Sequence, residues 1–272
     1  MKFQFLGTAA AESWPALFCV CDHCKRAEAA GGRNIRTRSQ ALVDDKLLID
    51  FPPDTYLHIM RSGLPLRDIH SCIITHSHSD HLYVDDLYMR KKKTFAQLKD
   101  DIPFTVYGSA PTVEMLRDIA EKGIIKTVQF SPFVPFEVEG YTIPPLLAAH
   151  DPATEPVIFL ISDGKRTVLY GNDTGYFPEQ TWDYFRESGV RLDLLSLDCT
   201  GGTLLQWRKN HMSLDVCAEV KQRLCEYGVV TDKTISVVHH FSHNGIATYD
   251  EMVPLAKEQG FLVSYDGMIV NL

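Results

Sequence analysis

The sequence predicts an α/β protein in which two β layers pack together and carry helices on their outer sides. Of the 272 residues, 45% are hydrophobic and 23% are charged, a balance typical of a globular chain with a large core. Short apolar runs of strand character recur along the chain, with helical patterns between them. This order favours two sheets covered by helices. We therefore expect one domain over residues 1–272.

The predicted strands are apolar runs bounded by turn signals or loops. Asp163-Gly164 and Asp266-Gly267 are hairpin signals flanked by alternating β-branched and aromatic residues, and Asp44-Asp45-Lys46 is a weaker one. The expected strands cover residues 2–7, 40–51, 72–75, 104–107, 157–170, 193–197, 234–238 and 261–270.

The predicted helices are marked by their ends. Residues 111–122 open with a proline, which the first turn of a helix tolerates, and end before Gly123. Residues 178–187 follow the same pattern, with Gly189 beyond them. Residues 213–227 begin with a serine suited to the N-cap position and carry an apolar stripe.

The charge balance narrows the classes of partner. The formal net charge is −8, whereas a protein that binds duplex nucleic acid usually carries a basic excess. Arg90-Lys91-Lys92-Lys93 is a local exception, either a solvated helix end or a phosphate-attracting lip. No apolar run reaches the ~20 residues that span a bilayer, and the N-terminus favours a strand over a signal peptide. We expect a cytoplasmic protein with a small-molecule substrate.

The residues most directly tied to function lie at 75–81, which read THSHSDH. They follow a buried-type strand, so a rigid element ends in a loop that can turn several side chains toward one point. His76 and His78 are two apart and face one way, whereas Asp80 and His81 reach a second point nearby. Imidazole and carboxylate ligands suit zinc, iron or manganese. The cluster predicts a metal site.

HSHSDH fits the HxHxDH signature and thereby resembles the metallo-β-lactamase superfamily. The resemblance implies a four-layer αββα sandwich with a dinuclear metal site at one edge of its sheets. It also implies further ligands at strand ends, namely His150, a bridging Asp173, and His240 in preference to His239. The implied set of metal ligands is His76, His78, His150, Asp80, His81, His240 and Asp173.

The chemistry that this resemblance implies is hydrolysis. Two cations about 3.5–4 Å apart can share a bridging water and lower its pKa, which yields a hydroxide nucleophile at neutral pH. The candidate catalytic residues are Asp80, which also offsets the cation charge, and His211. By resemblance to phosphodiesterase branches of the superfamily, His211 is a general acid for the leaving group. Alternatively, His211 only braces the helix that follows.

Cys19, Cys21 and Cys24 form a CxCxxC motif, and in a reducing compartment such clustering suggests metal rather than disulfides. Structural zinc requires four protein ligands. An insertion of this kind, at about residues 19–39, resembles the phosphodiesterase branch that acts on cyclic ribose phosphates in the carbon–phosphorus lyase pathway. That resemblance implies His243 as the fourth zinc ligand. Unliganded or redox-active thiols, and His23 as a ligand, are the alternatives.

The leading hypothesis is a phosphodiesterase for a small or cyclic phosphodiester, with two active-site cations and one structural zinc. Arg36 and Arg38 either bind a substrate phosphate or brace acidic loops. The alternatives are hydrolysis of a lactone, thioester or β-lactam, a non-hydrolytic biosynthetic protein of the same fold, and a metal-bound scaffold. A homodimer is left open.

Overall fold

The computed structural model describes residues 1–272 and contains two mixed β-sheets that pack face to face. The strands are β1 (Lys2–Gly7), β2 (Gln40–Val43), β3 (Leu47–Ile49), β4 (Ser71–Ile73), β5 (Thr105–Gly108), β6 (Lys126–Gln129), β7 (Phe136–Val138), β8 (Tyr141–Ile143), β9 (Pro145–Leu147), β10 (Val157–Ser162), β11 (Thr167–Gly171), β12 (Leu194–Asp198), β13 (Ile235–His239), β14 (Leu262–Val263) and β15 (Ile269–Asn271). The helices are α1 (Asp22–Ala30), α2 (Thr55–Ser62), α3 (Val84–Tyr88), α4 (Ala110–Met115), α5 (Arg117–Glu121), α6 (Glu179–Ser188), α7 (Leu214–Glu226) and α8 (Tyr249–Glu258).

The first sheet has the strand order β15-β1-β2-β3-β4-β5-β6, and the second has the order β14-β13-β12-β11-β10-β8-β7, with β9 paired to β10. Each sheet is antiparallel in one half and parallel in the other, from β3 to β6 and from β11 to β14. Parallel neighbours require crossover connections, and the helices lie in these connections. Parallel strands also end at the same edge of a sheet, so their terminal loops meet.

Alternation along the strands divides the apolar residues among three layers. In β12, Leu194 lies in the core between the two sheets, whereas Leu195 packs under the outer helices with Trp182 of α6 and Val220 of α7. In β2, Val43 faces the inter-sheet core and Leu42 packs on the opposite side. The predicted αββα sandwich is therefore confirmed.

Two turn predictions had different outcomes. The Asp163-Gly164 signal forms the expected hairpin, in which Ser162 pairs with Thr167. The Asp266-Gly267 hairpin is wrong, because β14 pairs with β13 in the second sheet and β15 pairs with β1 in the first. The turn instead carries the chain from one sheet to the other. The half-buried Asp266 holds it there, because its carboxylate accepts hydrogen bonds from the hydroxyls of Thr8 and Thr37.

The helix predictions are correct in place but not always in length. The helix α7 begins after Ser213 as expected, and α6 ends at Gly189, which adopts the left-handed conformation. The helix expected at 111–122 is divided into α4 and α5 at Leu116. No helix combines the length and the apolar character needed to cross a bilayer.

Two loops at the edge of the second sheet touch through their backbones. A Cβ atom added at Gly202 would overlap the carbonyl of Gly245, and one at Gly245 would lie 2.8 Å from the carbonyl oxygen of Thr200. The residues after β12 therefore pack directly against those after β13, an approach that only glycine permits.

We expect Gly202→Ala to destabilise the protein by more than a change at an equally left-handed but unobstructed glycine. Gly189→Ala (φ +64°, with nothing within 4 Å of the added Cβ) is the matched control and should cost about 1 kcal/mol. Gly202→Ala (φ +50°) should cost about 1–3 kcal/mol more, because the added carbon overlaps the backbone. Chemical denaturation measures both, and equal losses would contradict the packing argument.

Candidate metal centre

The predicted ligands lie where strands of both sheets end. The loop after β4 carries the residues from His76 to His81, Asp173 and His240 follow β11 and β13, and Asp198 ends β12 between them. These last three strands are parallel and in register, with Gly171 opposite Leu197 and Leu197 opposite Val238. Side chains just beyond those pairs therefore meet at one edge of the sheet.

Three imidazoles form the first group. His78 Nδ1 lies 2.9 Å from His76 Nε2 and 3.3 Å from His150 Nε2. His150 Nδ1 donates a hydrogen bond to the carbonyl of Asn210, which leaves His150 Nε2 unprotonated and directed at the other two rings. This arrangement of three nitrogen atoms suits one face of a metal ion such as zinc.

The second group contains Asp80, His81, Asp173 and His240, of which the last three are buried. Oδ2 of Asp173 lies 2.5 Å from His81 Nε2 and 3.3 Å from His240 Nε2. The same oxygen is 3.6 Å from His76 Nε2, so the carboxylate stands between the two groups. Asp173 and His240 both have φ near +50 to +60°, a strained backbone region that is often retained at functional sites.

The donor atoms of the second group fit a cation. His81 Nε2 and His240 Nε2 are buried and make no well-directed hydrogen bond, although both lie beside Asp173. Buried polar atoms are normally paired, and these two nitrogens converge with carboxylate oxygens in the pattern of a metal site. The residues present therefore suit the divalent cations that the sequence predicts.

The pKa values of these imidazoles follow the carboxylates around them. Burial lowers the pKa of His76 well below its usual value, so His76 is neutral, the form that binds metals. Burial has the same tendency at His240, but the negative charges of Asp173 and Asp198 beside it outweigh burial and raise the pKa to about 10. The pKa of His81 is raised well above normal, against burial, by Asp80, Asp173 and Asp50. This pocket of carboxylates attracts positive charge.

The supporting roles of two carboxylates were not predicted from the sequence. Asp50 is buried after β3 and accepts a hydrogen bond from His81 Nδ1 at 2.7 Å, which directs His81 Nε2 toward Asp173. Asp198 is buried at the end of β12 and lies 2.9 Å from His211 Nδ1. An acidic residue that closes an apolar strand was the available signal in both cases. Its partner, however, lies 31 and 13 residues away, respectively.

His211 is held at the rim of the centre. Its Nδ1 donates to Asp198 and lies 3.3 Å from Asp173 Oδ1, while its side chain remains 21% exposed. Burial lowers the pKa of His211, but the charge and hydrogen bond of Asp198 outweigh this effect and raise it. Its other nitrogen, Nε2, makes no hydrogen bond within the chain and is free to meet a substrate.

The structure also brings Cys19, Cys21, Cys24 and His243 together, with their ligand atoms all within 4.8 Å of one another. Sγ of Cys21 lies 3.4 Å from His243 Nδ1 and accepts a hydrogen bond from the amide of Cys24. Burial alone would raise the pKa of Cys21, but this amide and the His243 and Cys19 side chains lower it to about 6. A thiolate is the metal-binding form of cysteine. His23 is not part of the group.

The predicted substrate contacts of Arg36 are wrong. Arg36 is 2% exposed, and its guanidinium donates to the hydroxyl of Thr8 and the carbonyl of Ser264. Arg38 pairs with Asp54 and donates to the carbonyl of Ala11. Both arginines brace loops, the alternative that the sequence left open.

The structure also shows where two other groups of residues lie, namely the pair His239 and His240 and the basic run at 90–93. His239 lies between the sheets, where its ring nitrogens meet Tyr170 and Ser264, so His240 is the histidine that joins the centre. The basic run at 90–93 contributes nothing to the lining of the cavity described next.

A cavity of about 270 Å³ opens over the metal centre. Five of the predicted metal ligands and His211 line it, together with side chains from the loops after β1, β12 and β13. The lining residues are Ala10, Ala11, Glu12, His78, Asp80, His150, Asp173, Thr200, Trp207, His211, His240, Ser242 and Asn244. Its size suits a small molecule.

Comparison with known proteins identifies the fold. The family model described as the beta-lactamase superfamily domain matches residues 46–241. A crystal structure of a diphosphatase from the PhnP family is 20% identical, with a TM-score of 0.73, over 99% of this chain and 97% of that one.

Zinc-bound PqqB from Methylobacterium extorquens is 20% identical with a TM-score of 0.74, and the match covers 100% of both chains. The short form of human tRNase Z is 17% identical with a TM-score of 0.66, over 100% of this chain and 99% of that one. Curated protein sequences gave no match. The resemblance predicted from HSHSDH is confirmed.

We expect metal binding to release protons and to weaken as the pH falls. Because the pKa values of His81 and His240 are raised, both rings are in the cationic imidazolium form at neutral pH. A metal ion that binds to either ring must displace its second proton. Titration calorimetry with Zn²⁺ in buffers of different ionisation enthalpy should show about one or more protons released per active-site cation. A heat that does not depend on the buffer would contradict this electrostatic description.

Proposed function

The chain belongs to the metallo-β-lactamase superfamily, whose fold supports metal-dependent hydrolysis, and from that premise we propose that it is a phosphodiesterase for a small, including cyclic, phosphodiester. The observation that carries the proposal is the position of His211. This imidazole stands at the rim of a small cavity beside both ligand groups, with one nitrogen held by Asp198 and the other free.

The two ligand groups would hold two divalent cations, the first through His76, His78 and His150 and the second through Asp80, His81 and His240, with Asp173 shared. When bound, such cations acidify a water molecule and neutralise charge on phosphoryl oxygens. The chain supplies the geometry of this site. Asp50 and Thr200 fix the imidazoles of His81 and His240 through their Nδ1 atoms.

His211 has the properties of a general acid for the leaving oxygen. Its raised pKa favours the protonated form, and Asp198 holds Nδ1 so that Nε2 is the nitrogen left to carry a transferable proton. An alkoxide leaving group needs this proton, because it is a poor leaving group as an anion. A thioester, whose thiolate departs readily as an anion, makes less use of a fixed donor at this position.

The cavity also supports a small substrate. About 270 Å³ accommodates a phosphodiester with modest substituents, and the net charge of −8 disfavours a polyanion such as duplex nucleic acid. One similar structure is named a diphosphatase and another a tRNase, names that agree with phosphoryl chemistry.

Replacement of His211 should affect substrates according to their leaving groups. His211→Ala should lower kcat for a 2′,3′-cyclic nucleotide by about 10²–10⁴-fold, because the departing alkoxide needs a proton. The same variant should lose far less with bis-p-nitrophenyl phosphate, whose nitrophenolate departs as an anion. Steady-state assays of the metal-loaded enzyme measure both substrates.

The matched control is His70→Ala, because His70 pairs with Asp100 and does not line the cavity. Equal losses on both substrates would mean that His211 only braces the following helix. Turnover of a lactone or thioester, with neither phosphodiester hydrolysed, would show that the proposed function is wrong.

We also propose one structural zinc at the CxCxxC group, which gives about three metals per chain. Cys21→Ala should lose one metal and keep the two of the active site, since no cysteine belongs to either active-site group. Elemental analysis of the purified variant measures this, and Cys225→Ala, at an exposed free thiol outside the group, is the control. A Cys21 variant that retains three metals would contradict the assignment.

A further inference from the structure

The catalytic cavity has lining residues that neither hold metals nor transfer a proton. Among them, Glu12 comes from the loop after β1, and Trp207 comes from the loop that also carries His211. Glu12 is not among the side chains that converge on either active-site ligand group. It is therefore a carboxylate in the substrate cavity with no part in the chemistry assigned above.

The carboxylate of Glu12 is held in place by one of its two oxygens. Oε1 accepts a hydrogen bond from the hydroxyl of Ser242 and lies 3.8 Å from His243 Nε2. Oε2 makes no hydrogen bond within the chain, and the side chain is 29% exposed. A positioned carboxylate with a free oxygen, partly withdrawn from water, is suited to accept a charge-assisted hydrogen bond from a ligand.

The charge of the cavity favours a cationic donor for that oxygen. No lysine or arginine lines the cavity, and Glu12 is its only carboxylate outside the metal-ligand groups. Arg38, which reaches the backbone of the neighbouring Ala11, is paired with Asp54. A second negative group on the substrate would be repelled by this carboxylate, which has no lysine or arginine beside it in the cavity, whereas a positive group would be attracted.

Trp207 adds a second feature that recognises cations. Trp207 is half-buried, and a Cβ at Gly201 would lie 3.1 Å from the Trp207 Cβ, so Trp207 packs closely against Gly201 within the loop after β12. The face of an indole ring attracts ammonium groups more strongly than other aromatic faces do. An aromatic residue and a free carboxylate in one small cavity are the components of an ammonium-binding site.

We propose that Glu12 and Trp207 bind a positively charged amine on one substituent of the phosphodiester, so that the preferred substrate is zwitterionic. This inference rests on the proposed phosphodiesterase function and specifies its substrate class. The cations at the metal centre would take the anionic phosphoryl group, and Glu12 with Trp207 would take the ammonium group.

The test uses two substrates that share one leaving group and one negative charge. These are p-nitrophenylphosphorylcholine and ethyl p-nitrophenyl phosphate, which differ by the ammonium group. The metal-loaded enzyme should favour the choline ester in kcat/KM by about tenfold, the combined effect of a partly exposed cation–π contact and ion pair. The preference should lie mainly in KM, because the ammonium is remote from the bond that breaks.

Glu12→Gln should remove most of this preference by weakening the choline ester alone, since glutamine still accepts the Ser242 hydrogen bond but carries no charge. Trp207→Leu should do the same. An equal loss on both esters would mean that Glu12 acts structurally through His243, and the absence of a preference in the wild-type enzyme would overturn the inference.

A binding measurement separates failure of the inference from failure of the proposed function. Trp14 and Trp182 are 2% and 0% exposed, so a small ligand that quenches tryptophan fluorescence reports on Trp207. Glycerophosphocholine should quench the metal-loaded enzyme, and Trp207→Phe should abolish the response. Hydrolysis of neither ester would count against the phosphodiesterase, whereas no quenching would overturn the ammonium site in either case.

Discussion

The position of the Asp173 carboxylate is the constraint on which the site depends. Its two oxygens lie within 3.6 Å of nitrogen atoms from His76, His81, His240 and His211, which come from three different loops. The parallel register of β11, β12 and β13 sets this meeting point, because it fixes where each strand gives way to its loop. A slip of one residue in any of these pairs would turn a ligand to the opposite face.

The cysteine group attaches the loop after β13, at the same edge of the second sheet, to the segment that contains Cys19, Cys21 and Cys24. His243 belongs to the loop that begins with His240, and its ring nitrogens face the thiols on one side and Glu12 on the other. The contact between Gly202 and Gly245 holds this loop from the β12 side. The loop that carries His240 is therefore held between the cysteine group and the loop after β12, which limits the movement of His240 when cations bind.

Local sequence signals were sufficient to predict the strand ends, the HSHSDH cluster and the CxCxxC group, because each of these features consists of a few adjacent residues. Partners far apart in sequence were not predictable in this way. Asp50 and Asp198 read as ordinary ends of apolar strands until the fold brought His81 and His211 to them. Arg36 suits either a substrate phosphate or a loop brace in the sequence, and only the fold shows that it is buried and donates to Thr8 and the carbonyl of Ser264. The Asp266 turn failed as a hairpin because its flanking strands pair with different sheets.

Under the proposed function, an acidic protein would have to bind an anionic phosphodiester, and the charges that line the cavity determine how it would do so. The cavity contains no arginine or lysine, so under the proposed function the attraction for a phosphoryl group would come mainly from cations held by the histidines and by Asp80 and Asp173, with His211 beside them. In such a site, binding of the substrate and the chemistry have the same electrostatic origin, and loss of the cations removes both together. Glu12 is the one carboxylate of the cavity outside the cation ligands, and under our proposal it is the group that distinguishes one phosphodiester from another.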